Sequence, residues 1–385
     1  MPLPQFLALY LHFPFCAHKC AYCDFNSHVP TPGEQAVYLQ ALGQEIALWA
    51  EAVQGREVQT IYFGGGTPTL YPVRDLAALL DLLRESFTVS PDAEITCEAN
   101  PGTVDERYLR TLFAAGVNRL SLGVQSFQDE ELCLLGRIHT ADEAIMAMAC
   151  ARAAGCQNLS LDLIAGLPGQ TLDTWGKNIR AAAVLTPEHL SCYGLSIPKG
   201  TALGERLVRG EIEPLDEETS VEIWECTDRT LTAMGYQHYE VSNFARPGFQ
   251  CRHNLTYWRG GEYLGLGVSA ASYWQGRRWT NLAEVPAYVK RVTAGQSVVE
   301  EAESLPAGER LRERLMLAVR MAEGADLLAL RAEFGAPAVA ALTPVAEEMQ
   351  AAGLLEVAAD LWRPTRQGML LNNQLGLAFL AASGE

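Results

Sequence analysis

The chain has 385 residues, a hydrophobic fraction of 49% and a formal net charge of −17, enough apolar side chain to bury more than one core. No Lys/Arg run interrupts the acidity, which disfavours counterion-driven nucleic-acid binding. No stretch approaches the ~20 apolar residues of a membrane-spanning helix, and no basic leader precedes the first apolar run, so the expected compartment is the cytoplasm.

Short β-rich apolar runs occupy 7–12, 58–64, 94–99, 119–125, 159–165 and 189–197, with amphipathic helical patterns between them at 37–53, 75–87 and 105–116. Six βα units in series predict an α/β fold with helices outside a parallel sheet, either open and doubly wound or a partial barrel. The chemistry of such folds gathers at the C-terminal ends of the strands. A seventh helical unit at roughly 216–235 closes a core domain expected over 1–235. The next segment, 236–299, is irregular and too aromatic for a linker, and is read as an extension packed on the core. From 300 to 385 the texture becomes Ala/Leu/Glu/Arg-rich, and LLEVAADLWRPT followed by RQGMLLNNQLGLAFL predicts a hairpin and helix in a small, mainly helical, winged-helix-like domain.

The chain has ten cysteines, too sparse for a disulfide scaffold, but three are packed together as Cys16-Ala-His-Lys-Cys20-Ala-Tyr-Cys23 directly after the first strand. Three thiolates can hold three irons of a cubane cluster and leave the fourth iron open. The alternative is a zinc site completed by His18 or His28, although zinc usually takes paired C-x2-C spacings. The loop resembles the radical SAM (S-adenosylmethionine) superfamily signature, with Tyr22 at its aromatic position. That resemblance implies a partial (β/α)6 barrel and a 4Fe-4S cluster on Cys16, Cys20 and Cys23. It also implies that SAM chelates the open iron and is cleaved by a cluster electron to a 5′-deoxyadenosyl radical.

Gly64-Gly65-Gly66-Thr67-Pro68 follows the second strand, where bare backbone can approach a ligand and offer N–H groups to a carboxylate; alone, such a triplet is also an ordinary turn. Glu98 ends the third strand, Gln125 the fourth, and Asp162 lies in the fifth. Singly each reads equally as a capping residue or a satisfied core polar group. Together they put a carboxylate or amide on successive strands facing the cluster loop. Arg137, in LLGRIHT, is placed to pair with a carboxylate or to sit solvated at a helix end.

From Tyr10 to about residue 280 the sequence resembles a narrower family, the oxygen-independent coproporphyrinogen III oxidases and their relatives. Tyr10-x-His12-x-Pro14-Phe15-Cys16, GGGTP, Glu98, SLGVQS, GRIH and DLIAGLPGQT carry the resemblance. It implies SAM contacts from Tyr10, Tyr22, Gly65, Gly66, Thr67, Glu98, Gln125, Arg137 and Asp162, and a backbone contact at Ser196.

Two departures point away from the oxidases themselves. They carry a fourth cysteine two places after the third, where this chain has Phe25 in CDFNS, and a longer segment before the cluster motif. In addition, Cys251-Arg252-His253-Asn254-Leu255-Thr256-Tyr257-Trp258 is similar to the HNxxYW motif of a heme-chaperone branch. Heme needs an axial ligand and a flat apolar wall; the resemblance implies His253 as ligand, with Cys251 as the alternative, and Tyr257 and Trp258 as wall. On chemistry alone the same segment reads as a packed loop. The implied cofactors are the 4Fe-4S cluster, SAM and heme. The implied partners are heme, apo-hemoproteins such as respiratory enzymes and an unidentified electron donor, with a homodimer compatible with the pattern. Radical decarboxylation of coproporphyrinogen III and a zinc-stapled interaction module are the competing readings. The family's further glycine-rich signature is weaker here, with Val268 and Ser269 in GLGVSAAS.

Overall fold

The computed structural model describes residues 6–382. Six strands form the parallel centre: β1 (Phe6–Phe13), β2 (Glu57–Gly65), β3 (Thr88–Ala99), β4 (Arg119–Gln125), β5 (Leu159–Ala165) and β6 (His189–Gly194). They lie side by side in chain order, as expected for helical crossovers that pack back onto a parallel sheet. Their apolar runs are nearly continuous because both faces are covered; Leu120, Leu122, Leu161 and Leu163 are fully buried. The register levels the C-terminal ends, with Phe13 opposite Gly65, Glu98 opposite Ser121, and Asp162 opposite both Gly123 and Ser191.

The aromatic stretch after residue 236 is more regular than its sequence suggests. β7 (Gln237–Glu240) and β8 (Asn243–Ala245) form a hairpin whose β8 runs antiparallel to β6. At the opposite edge β9 (Tyr263–Leu266) lies parallel to β1, followed by antiparallel β10 (Ala271–Trp274), β11 (Arg277–Asn281) and β12 (Val299–Ser304). The order β12-β11-β10-β9-β1-β2-β3-β4-β5-β6-β8-β7 leaves two free ends, so the barrel is partial and open. Four of these added strands are three or four residues long, too short for the two-residue alternation that marks a strand in sequence.

A second core gathers around Leu311, Leu315, Leu330, Leu342, Trp362 and Phe379. The expected hairpin is present as β14 (Leu355–Val357) and β15 (Leu361–Pro364), joined by β13 (Ala325–Asp326). Trp362 stacks on Phe379 of the Asn372–Ala381 helix at 5.8 Å. The mainly helical C-terminal region thus has a core of its own, and the Ala307–Ala318 helix supplies one side of it.

Candidate cofactor site

The cysteine loop leaves β1 and is tied down at several points. Cys16 N–H donates to His28 O (3.0 Å), Ala21 N–H to Leu135 O (2.9 Å), and Leu203 N–H to Ala21 O (2.7 Å). Lys19 Nζ donates to the carbonyls of Phe25 and Ser27, both at 3.0 Å. All three cysteines are half-buried. Thr67 Oγ1 donates to Cys16 Sγ (3.7 Å) and Arg137 Nη1 to Cys20 Sγ (3.4 Å). Burial raises the Cys23 thiol pKa, and the neighbouring Cys20 and Cys16 raise it further. Among the described residues no three His, Cys, Asp or Glu side chains converge on one point as a mononuclear metal requires; a cubane, in which each thiolate takes its own iron, does not ask for that convergence. Three thiolates carried on one loop are the donor set of a cubane with one open iron.

The three cysteines open into a cleft of about 710 Å³ that also bears Tyr22, Gly65, Gly66, Thr67, Glu98, Gln125, Arg137, Asp162 and Ser196. The glycines are required by close approach. A Cβ on Gly66 would stand 2.6 Å from Phe15 O and 2.8 Å from Phe13 O, and one on Gly65 2.6 Å from the His12 ring. Their N–H groups are already used: Gly66 donates to Phe13 O, Thr67 to Phe15 O, and Gly65 to Glu98 Oε2 (3.1 Å). The expectation that these N–H groups are offered to a ligand carboxylate is thus corrected. They lock the glycine turn to the cluster loop, and the turn presents its bare backbone to the cleft.

Glu98 also accepts from Tyr62 Oη (2.7 Å). Burial pushes its carboxyl up to about 7, and Asp162 adds to the shift. The Asp162 carboxyl is likewise raised by burial, and accepts from Ser121 Oγ (3.1 Å). Arg137 donates to Gly123 O (2.7 Å) and to Asn100 Oδ1, while its buried Nε has no partner. That unpaired donor, half-buried thiols and two carboxyls whose charge is penalised by burial make a site fitted to a polar, charged ligand. Gln125 closes β4 at φ 67°, a left-handed conformation uncommon for a residue with a side chain and typical of ligand sites.

Tyr10 is placed differently from the other expected SAM contacts. It lines a neighbouring cavity of about 650 Å³ rather than the cleft, and its Oη meets His12 Nδ1 at 3.0 Å. Tyr257 and Trp258 line the same cavity. Phe25, Gly65 and Glu98 border both spaces. The Arg252–Trp258 helix, an expected loop that is helical, connects them, with Asn254 in the cleft and Tyr257 in the second cavity.

His253 is buried, and both ring nitrogens are engaged: Nδ1 with Thr60 Oγ1 (2.8 Å) and Nε2 with Tyr257 Oη (2.7 Å). It stacks on Tyr62 at 4.9 Å. Burial and Arg119 lower its pKa to about 3, so the imidazole is neutral. Cys251 does not suit the alternative ligand role: its thiol is fully buried, pushed up to about 12, and donates to Glu94 Oε1. Trp258 packs against the second core beneath Arg320, 4.4 Å from the ring.

Several residues of the site escaped the sequence reading. Asn100 bridges Thr67 Oγ1 (2.8 Å) and Arg137. A Cβ on Gly123 would stand 2.9 Å from Asn100 Oδ1 and 3.0 Å from Gln125 Nε2. Tyr62 links Glu98 to His253, and Glu94 accepts the N–H groups of Arg252 and His253, both at 3.0 Å. Tyr62 and Glu94 read as ordinary alternation in their strands; Asn100, one place after Glu98-Ala99, is the one a strand-end polar pattern exposes. Ser269, the departure from the glycine-rich signature, has φ 52° and accepts from Asn26 Nδ2 at 2.7 Å. It occupies a left-handed position that favours glycine.

A three-cysteine loop at the C-terminal ends of a partial parallel barrel, backed by a glycine turn and strand-end carboxyls, defines a radical SAM protein. Residues 10–182 match the model of the radical SAM superfamily and residues 305–371 that of the HemN C-terminal domain. The chain is 40% identical over 384 residues to the heme chaperone HemW of Escherichia coli, covering 97% of this chain and 98% of the relative. It is 38% identical to the Mycobacterium tuberculosis HemW, covering 96% and 94%. The E. coli coproporphyrinogen III oxidase HemN superposes with a TM-score of 0.85 at 28% identity, over 97% of this chain and 90% of that one. The chain belongs to the HemW heme-chaperone family of the radical SAM superfamily. Among the described residues no helix is long and apolar enough to cross a membrane.

Proposed function

We propose that the chain binds heme beside its cluster cleft and delivers it to apo-hemoproteins, such as respiratory enzymes, while holding a 4Fe-4S cluster on Cys16, Cys20 and Cys23 and SAM in the cleft. The observation that carries this reading is the Arg252–Trp258 helix, which puts Asn254 in the cleft and Tyr257 and Trp258 in an aromatic cavity, with a neutral histidine, His253, buried directly behind the Tyr257 hydroxyl. When bound, the cluster supplies one-electron chemistry and an open iron for the SAM amino and carboxylate groups.

Ligation through His253 Nε2 requires Tyr257 Oη to let go of that nitrogen. Thr60 Oγ1 then keeps Nδ1, accepting a hydrogen bond from its N–H and fixing the ligating tautomer. Tyr257 thus serves as a gate, and Tyr62 holds the imidazole plane by stacking. Glu98 and Asp162 suit the hydroxyls and amino group of SAM, with Gln125 and the Ser196 backbone beside them. Arg137, already bonded to Asn100 and Gly123 O, braces Cys20.

Replacing His253 with alanine is expected to abolish stable heme binding while iron and sulfide content stay as in the parent. Unchanged heme affinity in that variant would overturn the reading. The likeness to HemN favours oxidative decarboxylation of coproporphyrinogen III as the second reading. Anaerobically reconstituted protein given coproporphyrinogen III, SAM and a reductant decides it, since formation of protoporphyrinogen is its required outcome.

A further inference from the structure

The second cavity has an arginine-bearing wall that no part of the cluster site uses. Its roof is the Ala307–Ala318 helix, whose Leu311 and Leu315 point into the second core while Arg310, Glu313, Arg314 and Leu317 face the cavity. This is the i, i+3, i+4, i+7 spacing of one helix face. In a chain of net charge −17, a wall bearing Arg278, Arg310 and Arg314 runs against the background field.

The three arginines are not equivalent. Arg278 is neutralised twice, by Glu303 and by Glu313, which is the acidic residue of that helix face. Arg314 is shared between Glu333 (3.3 Å) and Gly260 O (3.2 Å), which leaves part of its five-donor fork unused. Arg310 pairs with no carboxylate among the described residues; its guanidinium lies 5.7 Å from the Phe334 ring centre, and its buried Nε has no hydrogen-bond partner. Both side chains cross glycines that leave room for them. A Cβ on Gly276 would stand 2.6 Å from Arg310 Nη1, and one on Gly260 2.1 Å from Arg314 Cδ. The rest of the cavity is mainly aromatic and apolar, with Tyr257, Trp258, Tyr263 and Met316.

We propose that Arg310 and Arg314 form a carboxylate clamp for an amphipathic macrocycle: the aromatic walls take the ring, and the two guanidinium groups take its acidic side chains. A volume of about 650 Å³ lies within the ~300–1,000 Å³ range of small-molecule sites, and arginine forks match carboxylates in bidentate geometry. The identity of the ring as a tetrapyrrole with two propionates rests on the heme reading. The clamp goes further: it makes the C-terminal region part of the binding site.

The test uses the full-length protein and three probes: hemin, protoporphyrin IX, and protoporphyrin IX dimethyl ester, which lacks the charges. The parent is expected to bind the free acid at least about tenfold more tightly than the ester. Arg310→Gln and Arg314→Gln should each weaken hemin and free acid by roughly tenfold and leave the ester unchanged. Arg310→Lys should recover part of the loss. Iron and sulfide content and the thermal midpoint should match the parent, which separates lost binding from lost folding. His253→Ala should abolish stable hemin binding and leave the two iron-free porphyrins unchanged. Unchanged porphyrin affinity in both arginine variants, or an ester that binds as tightly as the acid, overturns the clamp and leaves histidine ligation standing. If His253→Ala leaves hemin unchanged while the arginine variants lose the porphyrin, ligation by His253 fails and the clamp stands. If the parent binds no porphyrin, both fail.

Discussion

The two cavities are built by different means. The floor of the cluster cleft is made of the C-terminal ends of parallel strands, with the cysteine loop over it, so Glu98, Gln125 and Asp162 are fixed by a ladder of backbone bonds and by their neighbours' register. The second cavity takes one side from the parallel sheet, with Tyr10, His12, Gly65 and Glu98, and the rest from strands β9–β11, a seven-residue helix and a helix shared with the second core. The first arrangement suits groups that must be held at fixed positions. The second suits a guest that enters and leaves, because short edge elements with fewer covering contacts open at lower cost than the sheet centre. A cofactor retained and a cargo released would divide between them in this way.

The largest expected effect tests the rigid side. Cys20→Ala removes one of three iron ligands and should reduce iron and sulfide to background in anaerobically reconstituted protein, assayed by metal and sulfide analysis. Hemin binding, read by its absorption spectrum, should survive at near-parent affinity if the cavities act separately; joint loss would show that the cargo site depends on the cluster.

Gly66→Ala should come next. Its Cβ would meet two backbone carbonyls rather than a movable side chain, so the glycine turn must shift from the cluster loop at a cost of about 1–3 kcal/mol. Cluster retention should fall, and the urea midpoint should drop. Gly102, around which a Cβ would meet nothing within 4 Å but whose φ is 85°, serves as a control: Gly102→Ala introduces backbone strain alone.

The same contrast governs what the sequence disclosed. The six central strands, the cysteine loop, Glu98 and Asp162 were legible because the parallel core imposes continuous apolar runs, in which a polar residue at a strand end stands out. The edge strands after residue 236 were not, since segments of three or four residues carry no readable period. Asn100, Tyr62 and Glu94 were missed for another reason: each acts through a partner distant in sequence, such as Tyr62 between Glu98 and His253 or Glu94 beneath the Arg252–Trp258 helix. Nothing local distinguishes Tyr62 or Glu94 from an ordinary strand position, whereas Asn100, just past the end of β3, carries a strand-end polar signal. The engagement of both His253 nitrogens is also tertiary, for only Tyr257 lies within one helical turn of it, whereas Thr60 comes from β2.

A smaller effect compares two carboxyls. Glu98 in the cleft and Glu45 in the core are each pushed up to about 7 by burial, from an ordinary value of 4.5. Between those values the folded chain binds more protons than the unfolded chain, so both groups contribute stability at low pH that is lost as pH rises through about 7. The urea midpoint of the cluster-free protein, taken from pH 5 to pH 8, should include a fall from these two groups. Glu98→Gln should flatten it by removing one of them. SAM should widen the difference between the parent and Glu98→Gln at pH 8, because a ligand amino group favours ionised Glu98, whereas Glu45, held by Tyr288, Asn281 and Gly267 N–H, should not respond to SAM.

The finest test lies at the junction of the two cavities. Tyr257→Phe keeps the aromatic wall and removes only the hydroxyl that holds His253 Nε2. If that bond restrains the ligand nitrogen, its loss, worth about 1 kcal/mol, should tighten hemin binding by roughly fivefold and speed its association, with the same axial-ligand spectrum. Thr60→Val acts on the other nitrogen and should do the reverse, weakening hemin by leaving Nδ1 without its partner. Opposite signs from two hydroxyls on one ring would identify Nε2 as the ligating atom and Tyr257 as its gate. Equal losses from both would mean that His253 serves only to hold the helix in place, and that heme finds its ligand elsewhere in the cavity.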